Sequence, residues 1–207
     1  TGNDGNGTDS GQVRVFHWDD PYWVQLGQDI DGPGNYSGGH IVAKSPVGSR
    51  LVIGAPVYTG TCGESGQARA VVWDDPAWVQ LGQNMYGEED FDHFGTRVAI
   101  SSDGSRLAAG APGNDNANGN NSGRVRVIVW EDPSWVQYGQ DIDGEAEDDR
   151  SGTSLAFASG GSLLAVGSYY NDNPNGDDSG HVRTYSDAIF RDGFESGDTG
   201  GWSSVFP

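Results

Sequence analysis

The chain has 207 residues and carries 30 acidic and 11 basic side chains, which gives a formal net charge of −19. A surface this acidic repels phosphate backbones, so nucleic acid is excluded as an expected partner. No apolar run is long enough to span a bilayer, and the single cysteine, Cys62, cannot form an internal disulfide. The chain begins at Thr1 without a methionine, and we interpret it as a processed or partial chain.

A sequence repeat dominates the chain. The motif W-[DE]-D-P-x-W-V-Q occurs three times, with its prolines at Pro21, Pro76 and Pro133. Successive prolines are about 56 residues apart, and a fixed period of this length is typical of β-propellers and solenoids. We place the repeat units near 13–67, 68–124 and 125–181, with a tail at 187–207.

Each repeat unit predicts short strands and no helix. Apolar and β-branched segments separated by Gly, Pro, Asn and Asp turns predict the strands. In chain order they lie at 13–18, 23–30, 40–45, 51–55, 96–101, 106–111, 124–130, 135–142, 153–158, 163–167 and 181–185. Two further strands flank Pro76, in the same positions as 13–18 and 23–30 around Pro21. Four such strands form an antiparallel sheet. Several of them are apolar on both faces, which favours a sheet stacked between similar sheets, as in propeller blades.

Short glycine motifs recur in register with the predicted strands. Phe94-Gly95 is followed by Gly110-Ala111-Pro112, the first unit has Gly54-Ala55-Pro56, and the third has Gly167-Ser168-Tyr169 in its place. This pattern resembles the FG-GAP repeat of integrin-α-type β-propellers and of secreted microbial proteins, over about residues 2–185. The resemblance implies an extracellular propeller used for binding or adhesion. The expected fold is therefore all-β, a propeller-like array of about three four-stranded antiparallel blades that is incomplete as a single-chain ring.

Calcium is the one cofactor that the sequence suggests. The family resemblance implies a calcium loop with several carboxylates between the first two strands of a repeat, but the matching turn here has only Asp103. Oxygen-bearing side chains are denser in the Asn/Asp loops later in each unit, and alternate oxygens of this kind suit Ca²⁺. The candidate ligands are Asp115, Asn118, Asp172, Asn175 and Asp177. The alternative is that these side chains close turns by bonding to their own backbone.

Tryptophan pairs flank the Asp-Pro turn of every repeat, as in Trp73 and Trp78. Two interpretations remain open. The first is that the rings form cross-strand pairs that seal one blade against the next. The second is that the rings are exposed platforms that stack on sugar rings. The second interpretation is the basis of our alternative function, a carbohydrate-binding lectin-like propeller.

Enzymatic signatures are absent from the sequence. It contains no H-E-x-x-H, no G-x-S-x-G and no phosphate-binding loop, and its four histidines are scattered. We therefore expect a non-enzymatic protein.

The predicted strands begin and end in the middle of a blade, which leads us to expect self-association. About three blades are too few for an ordinary propeller ring, and open blades leave unpaired strand edges. Two copies could close a ring, or copies could join head to tail into a fibre; a piece of a longer propeller is the third alternative. The predicted interface residues are Val13, Val15, Trp23, Ile189, Phe190, Phe194 and Trp202. The function we expect is an extracellular structural or adhesive module, with a cell-surface glycan or protein as a further partner.

Overall fold

Strands are the regular secondary structure of the described part of the chain, and no helix occurs there. The computed structural model describes residues 10–32, 34, 41–46, 49–59, 63–158, 160–174 and 176–186. Its strands are β1 (Gln12–Val13), β2 (Phe16–Asp19), β3 (Tyr22–Gln25), β4 (Ile30–Asp31), β5 (Ile41–Lys44), β6 (Arg50–Ala55), β7 (Gln67–Asp74), β8 (Ala77–Gln80), β9 (Met85–Tyr86), β10 (Arg97–Ile100), β11 (Arg106–Ala111), β12 (Arg124–Glu131), β13 (Ser134–Gln137), β14 (Ile142–Asp143), β15 (Ser154–Phe157), β16 (Leu163–Ser168) and β17 (His181–Ser186).

These strands form four successive antiparallel units, which we name blades 1 to 4. Blade 1 consists of β1–β4, blade 2 of β5–β9, blade 3 of β10–β14 and blade 4 of β15–β17. In blades 2 and 3 the first four strands pair in chain order, and the short fifth strand pairs with the third. The described part of blade 1 is a single hairpin of interrupted strands, and that of blade 4 has three strands. The predicted all-β, propeller-like array is confirmed, and the described strands do not close into a ring.

The fourth strand of each complete blade is interrupted, whereas the sequence predicted it to be continuous. In blade 2, Val71 pairs with Gln80 and Ala68 pairs with Met85, so residues 81–84 lie opposite only two residues of β7. The bulge contains Gly82 at a φ of +70°, a conformation that glycine adopts without strain. The same interruption follows β3 in blade 1 and β13 in blade 3, so it belongs to the repeat itself.

The hydrophobic core lies between the blades. On β6, Leu51 and Ile53 are buried with Val13 and Ile30 of blade 1, whereas Val52 is buried with residues of blade 3. This alternation follows from the period of two in a strand, which sends successive side chains to opposite faces. A third cluster joins blade 3 to blade 4. Blade 2 therefore buries both of its faces, as the apolar strands predicted.

The glycines of the FG-GAP-like motif make the closest approach between blades. A Cβ added to Gly54 of blade 2 would lie 2.1 Å from the carbonyl oxygen of Gly95, at the start of blade 3. A Cβ on Gly110 would lie 2.2 Å from the carbonyl oxygen of Gly152, at the start of blade 4. Both distances are well below van der Waals contact, so any larger side chain would force the blades apart.

We predict that Gly110→Ala lowers the free energy of unfolding by about 2–3 kcal/mol, because the new methyl group meets rigid backbone. Gly167→Ala is the matched control, since it occupies the same motif position in blade 4. There the nearest atom is the side-chain oxygen of Ser154, and the next is at 3.4 Å. The control should cost less than about 1 kcal/mol in urea unfolding. Equal losses for the two variants would contradict this account.

Candidate functional site

Each tryptophan pair lies beside the turn of a hairpin. Trp73 and Trp78 are directly opposite each other on β7 and β8, with ring centroids 5.3 Å apart. Trp130 and Trp135 are 5.2 Å apart in blade 3, and Trp18 and Trp23 are 5.4 Å apart in blade 1. The Asp-Pro peptide bond between each pair is cis. The predicted cross-strand pairing is therefore observed in all three hairpins.

A specific set of hydrogen bonds joins the hairpin of blade 2 to the bulge of blade 1. The indole Nε1 of Trp78 donates to the carbonyl oxygen of Leu26 at 2.9 Å. The backbone N–H of Trp78 donates to Gln28 Oε1 at 3.0 Å, and Gln28 Nε2 donates back to the carbonyl oxygen of Trp78 at 2.7 Å. One glutamine amide thus satisfies both outward-facing backbone groups of the tryptophan. We call this arrangement the tryptophan clasp.

The clasp is repeated between blades 2 and 3. Trp135 Nε1 donates to the carbonyl oxygen of Leu81 at 2.8 Å. Trp135 N–H donates to Gln83 Oε1 at 3.0 Å, and Gln83 Nε2 donates to the carbonyl oxygen of Trp135 at 2.5 Å. Two independent copies of the same geometry show that the Leu-Gly-Gln bulge of one blade is the binding site for the tryptophan hairpin of the next.

Glycine is required at the centre of each clasp. A Cβ added to Gly27 would lie 2.5 Å from the Trp73 ring, and one added to Gly82 would lie 2.7 Å from the Trp130 ring. Both glycines have positive φ, +75° and +70°. The bulge therefore combines a left-handed backbone with direct contact between backbone and indole.

Burial of the hairpins differs sharply along the chain. Trp78 is 5% exposed and Trp135 is 3% exposed, each beneath the clasp of the preceding blade. In blade 1, Trp18 is 54% exposed and Trp23 is 67% exposed. Phe16 and Tyr22, on the same hairpin, are also exposed. We call these four residues the aromatic patch. Sealing between blades is thus observed for blades 2 and 3, whereas blade 1 presents its rings to solvent.

A third bulge of the same kind, Tyr138-Gly139-Gln140, lies at the end of blade 3. Gly139 has a φ of +75°, and both it and Gln140 are exposed. Among the described residues no tryptophan hairpin lies against it: β17 ends at Ser186, which the sheet register makes equivalent to Val129, one residue before the first tryptophan of blade 3. We call this segment the blade 3 bulge.

The predicted interface residues fall into different environments. Val13 is 8% exposed and packs between blades 1 and 2, so its side chain is used within its own chain. Val15 is half-buried against the same cluster. Trp23 is exposed, as a residue that contacts another chain should be. The remaining four, Ile189, Phe190, Phe194 and Trp202, lie outside the described residues.

The candidate calcium ligands lie in loops that follow the second strands of blades 3 and 4. Asp115 Oδ1 accepts the backbone N–H of Asn121 at 2.8 Å, and Asp172 Oδ1 accepts that of Asp178 at 2.7 Å. One oxygen of each carboxylate therefore closes a turn, as in the alternative interpretation of these loops. In the part of the chain that is described, no three His, Cys, Asp or Glu side chains are grouped as a metal site.

The other candidate ligands contribute less to a common site. Asn118 donates its side-chain amide to the carbonyl oxygen of Gly144 at 2.7 Å, which ties its loop to the end of β14. Asp177 is exposed, and Asn175 lies outside the described residues. Asp103, in the turn where the family resemblance implies calcium, accepts hydrogen bonds from Ser101 Oγ and from Ser105. Burial raises the pKa of Asp103, but these bonds outweigh it and hold the pKa below its usual value.

Sequence reasoning missed a charged network that fixes blade 2 to blade 3. Arg124 Nη1 lies 2.7 Å from Glu88 Oε2, and Arg124 Nε lies 2.7 Å from Asp143 Oδ1. Arg126 bonds to Glu88 as well, and its Nε lies 3.2 Å from Asp141 Oδ1. Burial lowers the pKa of Arg124, but Asp143, Asp141 and Glu88 outweigh it and raise the pKa above its usual value. Glu88 is therefore part of the contact between blades 2 and 3.

Comparison with known proteins supports the fold. The sequence pattern of the FG-GAP repeat matches residues 87–128, which confirms the resemblance for that stretch. No curated protein matches the sequence. Among solved structures, a candidate 6-phosphogluconolactonase from Bacteroides uniformis is similar with a TM-score of 0.52 and 16% identity over 85% of this chain. The match covers 52% of that protein, so the chain spans about half its length. At this identity the likeness concerns the fold alone. Within the described residues, no helix could cross a membrane.

We predict that Trp135→Ala lowers the free energy of unfolding by about 3–5 kcal/mol, since a buried aromatic side chain and its indole hydrogen bond to the carbonyl oxygen of Leu81 are lost. Trp23→Ala is the matched change at the open hairpin. It should cost no more than about 1 kcal/mol, because only the contact with Trp18 is removed. Chemical denaturation followed by circular dichroism measures both, and a Trp23→Ala cost equal to that of Trp135→Ala would contradict the role of the clasp.

The calcium assignment stays a prediction. We expect calcium affinity of the chain to reside in the Asn/Asp loops and to be lost in Asp172→Ala, because this removes a carboxylate from the richest loop. Asp103→Asn should leave binding unchanged. Isothermal titration with calcium chloride measures the three proteins; identical binding in Asp172→Ala and the unaltered chain would remove the assignment.

Proposed function

We propose that the chain is a non-enzymatic, extracellular structural or adhesive module that associates with copies of itself, head to tail, as a fibre. The observation that supports the proposal is the difference in burial between equivalent tryptophans. Trp78 and Trp135 are buried by a neighbouring blade, and Trp23, in the same hairpin position, is not. A hairpin built to be covered by a bulge is thus left open at blade 1.

The aromatic patch has the composition of a protein-binding surface. Tryptophan and tyrosine are enriched among residues that contribute most to protein interfaces. Contiguous exposed aromatic side chains mark interaction sites more often than solvated surfaces do. Tyr22 and Trp23 of the patch also lie on β3, at an edge of the described part of blade 1, where backbone groups are available to pair with another chain.

The charge of the chain predicts how association depends on salt. Two copies at a net charge of −19 repel each other over distances comparable with the Debye length. The patch itself is apolar, so salt screens the repulsion and leaves the short-range contacts intact. Self-association should therefore strengthen as ionic strength rises.

The buried acidic side chains support a structural role. Asp92 Oδ2 accepts the backbone N–H groups of Glu88 and Glu89, and Asp149 makes the same pair of bonds at the start of blade 4. Each carboxylate is thus used to hold the loop between two blades. Buried carboxylates with this much backbone hydrogen bonding serve the fold, which favours a scaffold over a catalyst.

A second candidate function is carbohydrate binding at the aromatic patch. Tyr22 is 70% exposed next to Trp23, and adjacent exposed rings can stack on the apolar faces of sugars. The self-association proposal is favoured because the equivalent rings of the other two hairpins bind protein.

We predict reversible self-association that grows with protein concentration and with salt, measured by sedimentation velocity on the full chain. A glycan array probed in parallel with the unaltered chain and with Trp23→Ala tests the lectin alternative. A single species of one chain at every concentration and salt would contradict the proposal, and glycan binding lost in Trp23→Ala would replace it with the lectin function.

A further inference from the structure

We infer that a pocket between blades 2 and 3 binds a primary ammonium group, whose N–H groups donate to the buried side-chain oxygen of Asn114. The pocket has a volume of about 200 Å³, counted with the solvent space at its mouth. Its lining includes Glu88, Asp92, Phe94, Asn114, Arg124 and Arg126. None of these residues belongs to the aromatic patch, so the inference goes beyond the proposed function and does not depend on self-association.

The pocket contains a buried hydrogen-bond acceptor that lacks a donor. Asn114 is 2% exposed and donates its side-chain amide to Asp92 Oδ1 at 2.9 Å, which identifies its other side-chain atom as the carbonyl oxygen. No described residue donates to that oxygen, Asn114 Oδ1. A buried amide oxygen in this situation costs free energy, because its hydrogen bonds to water in the unfolded chain are not replaced. A ligand that enters the pocket is therefore selected for having a donor.

The next blade contact shows which kind of group this acceptor binds. Asn171 occupies the position of Asn114 and donates in the same way to Asp149 Oδ2 at 2.9 Å. Its oxygen does receive a donor, because His181 Nδ1 lies 2.5 Å from Asn171 Oδ1. The other ring nitrogen, His181 Nε2, lies 3.7 Å from Glu145 Oε2. A side chain with N–H groups thus lies between an amide oxygen and a glutamate carboxylate.

Arg124 takes the place of His181 in blade 3, but its guanidinium group is held elsewhere. The sheet registers put the two residues at the same position of β12 and β17. Arg124 Nη1 lies 2.7 Å from Glu88 Oε2, and Arg124 Nε lies 2.7 Å from Asp143 Oδ1. The oxygen of Asn114 is therefore left facing the pocket, with the Glu88 carboxylate as a second acceptor.

The charges in and around the pocket favour a cation over an anion. Four carboxylates surround two guanidinium groups, which leaves an excess of negative charge. They are Glu88, Asp92, Asp141 and Asp143, around Arg124 and Arg126. A carboxylate offers about four lone pairs, so Glu88 can accept a further donor beside the two arginines. The net charge of −19 on the chain adds to the attraction of a cation.

An organic ammonium group fits these atoms better than a metal ion does. Both oxygens of Asp92 are used within the chain, since Oδ1 accepts the asparagine amide and Oδ2 accepts two backbone N–H groups. Part of the lining is the buried Phe94 ring, which ligates no metal but attracts cations, as the guanidinium carbon of Arg126 shows at 5.7 Å from its centroid. A primary ammonium group carries three N–H donors, enough for both the amide oxygen and a carboxylate.

The test titrates methylammonium chloride into the unaltered, ¹⁵N-labelled chain and follows its NMR signals. We expect saturable shifts centred on the Asn114 side-chain amide and on Glu88, with a Kd on the order of 10 mM, which is near the limit for so small a ligand. Tetramethylammonium chloride at equal ionic strength is the matched ligand, because it has the same charge and no N–H donor. It should cause no saturable shift. Equal shifts from both salts, or no saturation by methylammonium up to about 100 mM, would overturn the inference.

Two substitutions at one position provide the matched variants. Arg124→His puts a ring beside Asn114, as His181 lies beside Asn171, and it should abolish the methylammonium shifts by filling the pocket. Arg124→Ala removes the same ion pairs but leaves the pocket open, so methylammonium should still bind. Circular dichroism confirms that each variant is folded. Binding that persists in folded Arg124→His, or that is lost in folded Arg124→Ala, would overturn the inference, and the titration of the unaltered chain decides it if either variant unfolds.

Discussion

Contact between successive blades is the constraint on which this structure depends. A single twisted sheet of four short strands has no interior, and its apolar side chains are removed from water only when another sheet lies against them. Blade 2 shows the consequence, since β6 sends Leu51 and Ile53 toward blade 1 and Val52 toward blade 3. The FG-GAP-like glycines allow the backbones to approach closely enough for this burial.

The tryptophan clasp adds direction to a contact that would otherwise be nonspecific. Apolar burial is insensitive to small rotations of one sheet on another, but hydrogen bonds require defined positions of donor and acceptor. In the clasp, a glutamine amide forms hydrogen bonds with both backbone groups of Trp78 or Trp135, and the indole N–H donates to a carbonyl of the bulge. The charged network of Arg124 and Arg126 joins blades 2 and 3, the pair that the Trp135 clasp also joins. Core packing thus supplies most of the stability, and these polar contacts fix the angle and order of the blades.

The fold was accessible from the sequence, and the clasp was not, for a physical reason. Period-two apolar strands and a repeat of about 56 residues predict stacked sheets from local pattern alone. Gln28 and Gln83 follow a glycine in a polar segment, which is the pattern of a solvated loop, and their bonds span about 50 residues to the next blade. The bulge escaped prediction because Leu-Gly-Gln continues an alternating pattern that reads as one strand. Val13, which the sequence predicts at an interface between chains, is covered by blade 2, and this neighbour is set by topology rather than by the adjacent sequence.

The chain contains several tryptophan hairpins and several bulges of the same kind, and each hairpin must bind the bulge of the blade before it. Each internal hairpin competes with hairpins of other copies for its bulge, but the internal partner is tethered a short distance away, which corresponds to a local concentration in the millimolar range. Free chains at micromolar concentration cannot displace it, so the internal clasps stay closed. Only a hairpin without a tethered partner is available to another molecule, and among the described residues the patch on blade 1 is such a hairpin. The clasp therefore serves folding where both halves are tethered in register, and the self-association proposed above uses a hairpin that has no tethered partner among the described residues.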